Sequence, residues 1–178
     1  MAAPLLDITT PLLVLGGARS GKSSWAESVV SRFPPPYVYV ATAQALDEEM
    51  SLRIRLHRER RKDLWETIES PVELSSVLEK LSDSNKPVLV DCITLWLSNM
   101  LCSEATEPEA AVDRLCNTLG SIDYPLVIVS NETGGGIVPE NPLARRFRDL
   151  SGFTNQKLAA VCASVFLIVA GLPMRLKG

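Results

Sequence analysis

The sequence predicts an α/β protein built on a mostly parallel sheet with helices on both faces. Three observations carry that expectation. First, short apolar runs recur along the chain: Leu12-Leu13-Val14-Leu15, Tyr37-Val38-Tyr39-Val40, Val88-Leu89-Val90, Leu126-Val127-Ile128-Val129 and Val165-Phe166-Leu167-Ile168-Val169. Each is continuous rather than alternating, as strands covered on both sides are. Second, helical stretches lie between them, over 21–32, 47–63, 71–82, 93–103, 109–120 and 142–163. Strands that alternate with helices imply a parallel, doubly wound sheet. Third, the first run leads into Gly16-Gly17-Ala18-Arg19-Ser20-Gly21-Lys22-Ser23, which fits G-x-x-x-x-G-K-[ST]. A strand before that motif and a helix after it, beginning Ser24-Trp25-Ala26-Glu27, make it a phosphate-binding loop. The fold class is then P-loop NTPase, RecA-like.

Turn residues punctuate the runs. Pro34-Pro35-Pro36 precedes the second, Lys86-Pro87 the third and Pro125 the fourth. Leu172-Pro173-Met174-Arg175-Leu176-Lys177 reads as a short antiparallel edge strand, and Cys102 to Glu109 as an exposed loop. With 178 residues and no internal repeat or linker, one domain over 1–178 is expected, with 1–10 as an N-terminal extension.

Composition narrows the classes. Hydrophobic residues at 46% and charged residues at 22% suit a globular chain with a sizeable core. A net charge of −3 argues against general nucleic-acid binding. Cys92, Cys102, Cys116 and Cys162 show no C-x-x-C spacing and read as buried thiols of a reducing compartment; zinc is not expected. No apolar run approaches a membrane span, and the first residues lack a basic region ahead of an apolar one. The cytoplasm is the expected location.

In the loop, backbone N–H groups close around a polyphosphate, the helix N-terminus adds positive potential, and Lys22 reaches the outer phosphates. The Ser23 hydroxyl is placed to hold Mg²⁺. Asp91 ends the third run, where an acidic side chain faces the phosphate site and can ligate the same ion. Its bland alternative is an N-cap for the helix from Ile93. His57 lies in a segment, Arg53 to Lys62, where six of ten residues are cationic. Arg53, His57 and Arg61 fall at i, i+4 and i+8, on one helical face. Clustered cations depress the imidazole pKa, and a neutral ring nitrogen can attack phosphorus. By pattern alone, however, a solvated basic face with an incidental histidine outweighs that reading.

Asn131 to Asn141 (NETGGGIVPEN) follows the fourth run on the edge where open α/β sheets bind ligands. It reads as a substrate-contacting loop, or as a turn whose Asn141 caps the next helix. Arg145, Arg146 and Arg148 are either phosphate contacts or that helix's solvated face.

These segments together resemble the bifunctional adenosylcobinamide kinase/adenosylcobinamide-phosphate guanylyltransferase family of cobalamin biosynthesis. The matching pieces are GGARSGKS from Gly16, VYVAT from Val38, Arg53-Ile54 with His57-Arg58, VDCITLW from Val90, and Asn131-Glu132 with GIVPEN from Gly136. Phe147-Arg148-Asp149-Leu150 follows, then Gly152, Asn155 and Gln156. They keep family order across nearly the whole chain. GIVPEN and the following R-F-R-D-L are far more specific than the P-loop. Two departures stand out: the first ten residues extend beyond the core pattern, and Thr133-Gly134-Gly135 replaces a commoner Val-Gly-x.

The resemblance implies that His57, the one histidine in the chain, is the residue guanylylated, which reverses the odds above. Nucleotide contacts would fall on Gly16 to Ser23, Ala41-Thr42-Ala43, Arg58-Glu59-Arg60-Arg61, Glu69 and Asp91. It implies two reactions. ATP or GTP phosphorylates adenosylcobinamide; His57 then takes GMP from GTP and passes it to adenosylcobinamide phosphate. A homo-oligomer, a trimer among the family's forms, is implied as well. Two other classes compete: a P-loop kinase of another small metabolite with no covalent step, and a nucleotide-driven switch. The chain lacks an N-K-x-D guanine-reading signature, which weakens the second.

Overall fold

A computed structural model describes residues 8–44, 48, 64–103 and 107–178. Its frame is one seven-stranded sheet: β1 (Leu12–Gly16), β2 (Tyr37–Ala41), β3 (Trp65–Glu69), β4 (Val88–Asp91), β5 (Leu126–Asn131), β6 (Ser164–Val169) and β7 (Leu172–Lys177). The described helices are α1 (Lys22–Val30), α2 (Leu74–Lys80), α3 (Ile93–Leu101), α4 (Pro108–Leu119) and α5 (Pro142–Val161), with a 3₁₀ turn at Ser82–Ser84. Strand order is β3-β2-β4-β5-β1-β6-β7. All pairs are parallel except β6 with β7, the antiparallel edge expected for Leu172 to Lys177.

The continuous apolar runs are explained by what covers them. In β1, Leu13 and Leu15 join one core with Leu74, Ile93, Trp96, Met100, Leu115 and Leu158, from α2, α3, α4 and α5. Leu12 and Val14 point the other way, into a second core with Ala26, Val29 and Val30 of α1. Both faces of each central strand are therefore apolar, and all five β1 residues are buried. Burying a leucine or valine at such a position contributes about 1.5–3 kcal/mol.

Two strands depart from the continuous pattern. β3 is a strand that the apolar runs do not predict. Its Trp-Glu-Thr-Ile-Glu is half-buried at Trp65 and Ile68 and exposed at the other three positions, and it pairs on one side only, with β2, as an edge strand does. β7 is exposed along its whole length. The helix expected over 71–82 is shorter, ending at Lys80 before the 3₁₀ turn. The helix expected over 47–63 lies outside the described residues.

Handing-off of the strands opens the ligand crevice. β1 leads to α1 on one face, while its neighbour β5 leads to α5 on the other. Chain leaving adjacent strands in opposite directions parts at their carboxyl ends, where such sheets bind ligands.

Candidate active site

Gly16 is the last residue of β1 and lies in register with Asn131 of β5 and Ile168 of β6. A Cβ there would stand 2.5 Å from Ser20 Oγ and 2.8 Å from Ile168 O, so only glycine lets the loop fold back on the strand. Gly17, Ala18 and Arg19 are exposed at its crest, with Arg19 at φ 57. Gly21 takes φ 94 at the N-cap of α1, a conformation that glycine alone adopts without strain. Ser20 N–H donates to Gly17 O at 3.2 Å and closes the loop as a turn.

Lys22 is 8% exposed, and its Nζ donates to Gly17 O at 3.1 Å. The ammonium thus reaches back across the loop's mouth rather than out to solvent. Ser23 follows in the first turn of α1, half-buried. The helix starts with no side-chain cap, so its first N–H groups and dipole face the loop.

The remaining described candidates share this sheet edge. Glu69 of β3, Ala41 of β2, Asp91 of β4 and Val129 of β5 lie in one register row at the carboxyl ends. Asp91 is half-buried, and Tyr39 Oη donates to its Oδ2 at 3.2 Å. Its strand is not β1's neighbour, since β5 lies between them. The side chain that ends the intervening strand is Asn131, which the sequence reading placed in the following loop. The bland reading of Asp91 as the N-cap is displaced by one residue: the N-cap of α3 is Cys92, whose own side chain makes no capping bond.

Thr42 is fully buried rather than open to the crevice. Its Oγ1 donates to Cys92 O and accepts from Cys92 N–H, both at 2.8 Å. Asn99 Nδ2 donates to Thr42 O at 2.8 Å and to Pro71 O at 3.0 Å. Asn131 Nδ2 donates to Thr94 Oγ1 at 2.7 Å. Asn155 Nδ2 donates to Asn131 O at 3.1 Å, while Ser130 Oγ donates to Asn155 Oδ1 at 2.7 Å. This polar lattice ties the ends of β2, β4 and β5 to α3 and α5. Asn99 and Tyr39 were not singled out from sequence; a lone amide or phenol in an apolar stretch carries no spacing signal. Ala43 is half-buried just after Thr42.

The loop after β5 begins on the phosphate loop itself: Glu132 N–H donates to Gly16 O at 3.0 Å. Asn141 caps α5, its Oδ1 accepting from Leu143 N–H at 2.8 Å and Ala144 N–H at 3.1 Å. Arg145 Nη1 is folded onto Pro139 O and Glu140 O, at 2.9 and 2.6 Å. Arg146 lies 3.9 Å from Glu109, and Arg148 3.9 Å from Asp149. His57, Arg58, Glu59, Arg60 and Arg61 lie outside the described residues.

Burial pushes the Cys92 thiol up to about 11, with the Asp91 charge adding to the effect. A thiol held neutral beside the carboxylate is no nucleophile at neutral pH. Cys162 is buried too, while Cys116 is half-buried and Cys102 exposed, so the expectation of uniformly buried thiols holds for only two of the four.

A parallel sheet with this loop, helix terminus and buried lysine defines a P-loop NTPase fold. Comparison with known proteins gives the family. A model described as cobinamide kinase / cobinamide phosphate guanyltransferase matches residues 12–176, and the chain belongs to that family. It is 44% identical over 167 residues to the bifunctional adenosylcobalamin biosynthesis protein CobP of Pseudomonas aeruginosa, covering 93% of this chain and 96% of that one. It is 39% identical over 180 residues to the corresponding CobU of Salmonella typhimurium, covering 93% and 99%. Among solved structures, a Pyrococcus horikoshii OT3 protein superposes with a TM-score of 0.53 at 13% identity, over 94% of this chain and 85% of that one, a likeness of fold. The protein is an enzyme of cobalamin biosynthesis, a kinase and guanylyltransferase. No described helix is long and apolar enough to cross a membrane.

Proposed function

We propose that the chain phosphorylates adenosylcobinamide and then guanylylates the product, with Gly16 to Ser23 gripping the nucleotide in the first reaction. The observation that carries this reading is the buried Lys22 ammonium across the loop, 3.1 Å from Gly17 O. An anion bound by the loop's N–H groups meets that charge without the lysine having to be drawn from solvent. In the kinase step the substrate hydroxyl oxygen bonds to the γ-phosphorus of ATP or GTP. The bond to the β-phosphate oxygen breaks, and the hydroxyl proton leaves to solvent. Lys22 and the N-terminus of α1 stabilise charge as it shifts toward the β-phosphate, the main lever in phosphoryl transfer.

Ser23 Oγ and the Asp91 carboxylate are hard oxygen donors, the set that Mg²⁺ takes alongside phosphate oxygens. When bound, Mg²⁺ neutralises phosphate charge. Tyr39, at 3.2 Å from Asp91 Oδ2, orients that carboxylate. Thr42 serves as a brace: its hydroxyl is engaged by Cys92, so Ala41, Ala43 and Glu69 offer the contacts on that side.

In the second reaction His57 bonds to the α-phosphorus of GTP and pyrophosphate leaves. A phosphate oxygen of adenosylcobinamide phosphate then bonds to the same phosphorus, the P–N bond breaks, and His57 is released with adenosylcobinamide-GDP formed. Arg58, Arg60 and Arg61 hold the triphosphate, with Glu59 among them. Ile137, 97% exposed in the loop after β5, and Val138, 58% exposed, offer apolar contact for a large corrinoid. We further assign one domain, a homo-oligomeric state and a cytoplasmic site of action.

The test is incubation with α-labelled GTP. Wild type should gain one GMP, acid-labile and alkali-stable, whereas His57→Ala should gain none and keep its kinase activity. Labelling of His57→Ala removes the histidine from the covalent role. Lys22→Met should slow the kinase step by about 10²-fold or more; an unchanged rate removes the phosphate loop from that step.

A further inference from the structure

The turn joining β6 to β7 packs against the phosphate loop. Ala170 at φ 52 and Gly171 at φ 80 form it, both in the left-handed region, as two-residue hairpin turns that follow the strand twist require. Gly171 N–H donates to Ser20 O at 2.8 Å. On the same side, a Cβ on Gly21 would stand 3.1 Å from Gly171 Cα, so two backbones meet with no side chain between them. A Cβ on Gly171 itself would meet nothing within 4 Å. What glycine supplies at 171 is therefore its conformation and the direction of its N–H, not space.

That bond has a consequence for the loop's chemistry. A trans peptide holds its C=O and the following N–H antiparallel. Ser20 C=O is turned out to the hairpin, so Gly21 N–H is turned the opposite way, away from it. Ser20 N–H, closing on Gly17 O, fixes the other end of the same residue. The Ser20–Gly21 peptide is thereby held by its carbonyl just ahead of Lys22, and the peptide before it by its N–H.

We propose that Gly171 is a positioning residue for nucleotide binding: its N–H holds the Ser20–Gly21 peptide so that Gly21 N–H is presented to the nucleotide's phosphates. The antiparallel hairpin is then a working part of the phosphate loop, although it lies about 150 residues downstream of it. This deepens the phosphate-loop reading above and rests on it.

The sharpest test removes only the N–H. Ligation at the native Cys162 joins residues 1–161 to a synthetic 162–178 segment carrying glycolic acid at 171, which replaces the amide by an ester with no new side chain. Binding of GTP is measured by calorimetry, and the melting temperature without nucleotide is measured alongside. GTP should bind at least fivefold more weakly with the unliganded melt close to wild type. Wild-type affinity in the folded ester variant overturns the proposal.

Recombinant variants give an independent route. Gly171→Val, which resists φ 80, should raise the GTP KM at least fivefold with kcat within twofold. Gly171→Asn, which tolerates that conformation and keeps the N–H, should stay within twofold in both. A purely structural role would lower the melting temperature and the active fraction while leaving KM alone, and that result also overturns the proposal. Lys22→Met runs in parallel: wild-type GTP affinity there defeats the phosphate-loop reading itself, whereas a Lys22 effect without a Gly171 effect defeats only this inference.

Discussion

Single polar side chains at the sheet edge set the geometry in which the chemistry works. Tyr39 is 6% exposed and spends its hydroxyl on Asp91 Oδ2. Removing it should leave the ring's packing against Trp65 intact, since their centroids are 6.4 Å apart in an edge-on arrangement. Tyr39→Phe is therefore expected to slow the kinase step about three- to tenfold, matching the roughly 0.5–1.5 kcal/mol of a typical hydrogen bond. It should also shift the Mg²⁺ concentration giving half-maximal rate, with little change in melting temperature. A rate and metal dependence equal to wild type would separate the tyrosine from the carboxylate's function. Asn99 has a different task, because its amide joins Thr42 O to Pro71 O across two loops. Asn99→Ala leaves both carbonyls without that donor and should cost about 1–3 kcal/mol, read by urea denaturation. Such residues are invisible to pattern reading: an asparagine on a helix has no period, and its partners are 57 and 28 positions away.

The central strands were legible because they are buried on both faces. β1, β2, β4, β5 and β6 announce themselves as unbroken apolar runs because helices or chain cover both of their faces. β3 does not, because Glu66, Thr67 and Glu69 are exposed and its five residues show neither a continuous apolar run nor a clean alternation. The phosphate loop was readable from its motif, in which Gly16 answers a steric demand and Gly21 a conformational one. Gly16 is the extreme case, caught between a hydroxyl and a backbone carbonyl. Gly16→Ala should abolish measurable GTP binding while leaving the circular dichroism spectrum of the sheet in place, because the backbone at Ile168 O has nowhere to move. The partnership between that loop and the β6–β7 turn was not readable, as nothing in local sequence links Ser20 to Gly171. The same turn offers a gain: Ala170→Asn creates the Asn-Gly pair favoured in this geometry and should add about 0.5 kcal/mol of stability, seen as a higher melting temperature. The role proposed for His57 rests on resemblance alone, because a histidine in a cationic segment reads the same with or without a nucleotide.

At the scale of the whole molecule, the thiols report on the fold. Cys102 is exposed while Cys92 and Cys162 are buried, so a thiol reagent at neutral pH should label Cys102 first and the other two only on unfolding. Alkaline pH should weaken the fold through the same groups. Burial raises Cys162 from its usual 9.0 to about 12, whereas the unfolded thiol ionises near the lower value. The native state therefore holds the proton longer, its stabilising effect is complete below pH 9, and it is lost as pH climbs from 9 toward 12. The slope approaches about 1.4 kcal/mol per pH unit for one such group. Cys162→Ala should flatten that decline between pH 9 and 11 in denaturation curves, and an equally steep curve would assign the loss elsewhere. The exposed β7 strand bears on a different property, colloidal behaviour. Leu172 and Met174, 72% and 55% exposed, fall on one side of it, at the margin of a sheet that any extended chain could join. Pro173 and Arg175 alternate with them, and a register shift at Leu176 separates Arg175 from Lys177; proline offers no donor, and the cations repel a second copy. Arg175 also lies 5.3 Å from the Phe166 ring centroid, and Lys177 Nζ binds Ala159 O and Ala160 O, each at 2.8 Å, so neither charge is idle. Replacing Pro173 and Arg175 together with valine would convert a guarded margin into a sticky one, and the protein would precipitate at concentrations the parent tolerates.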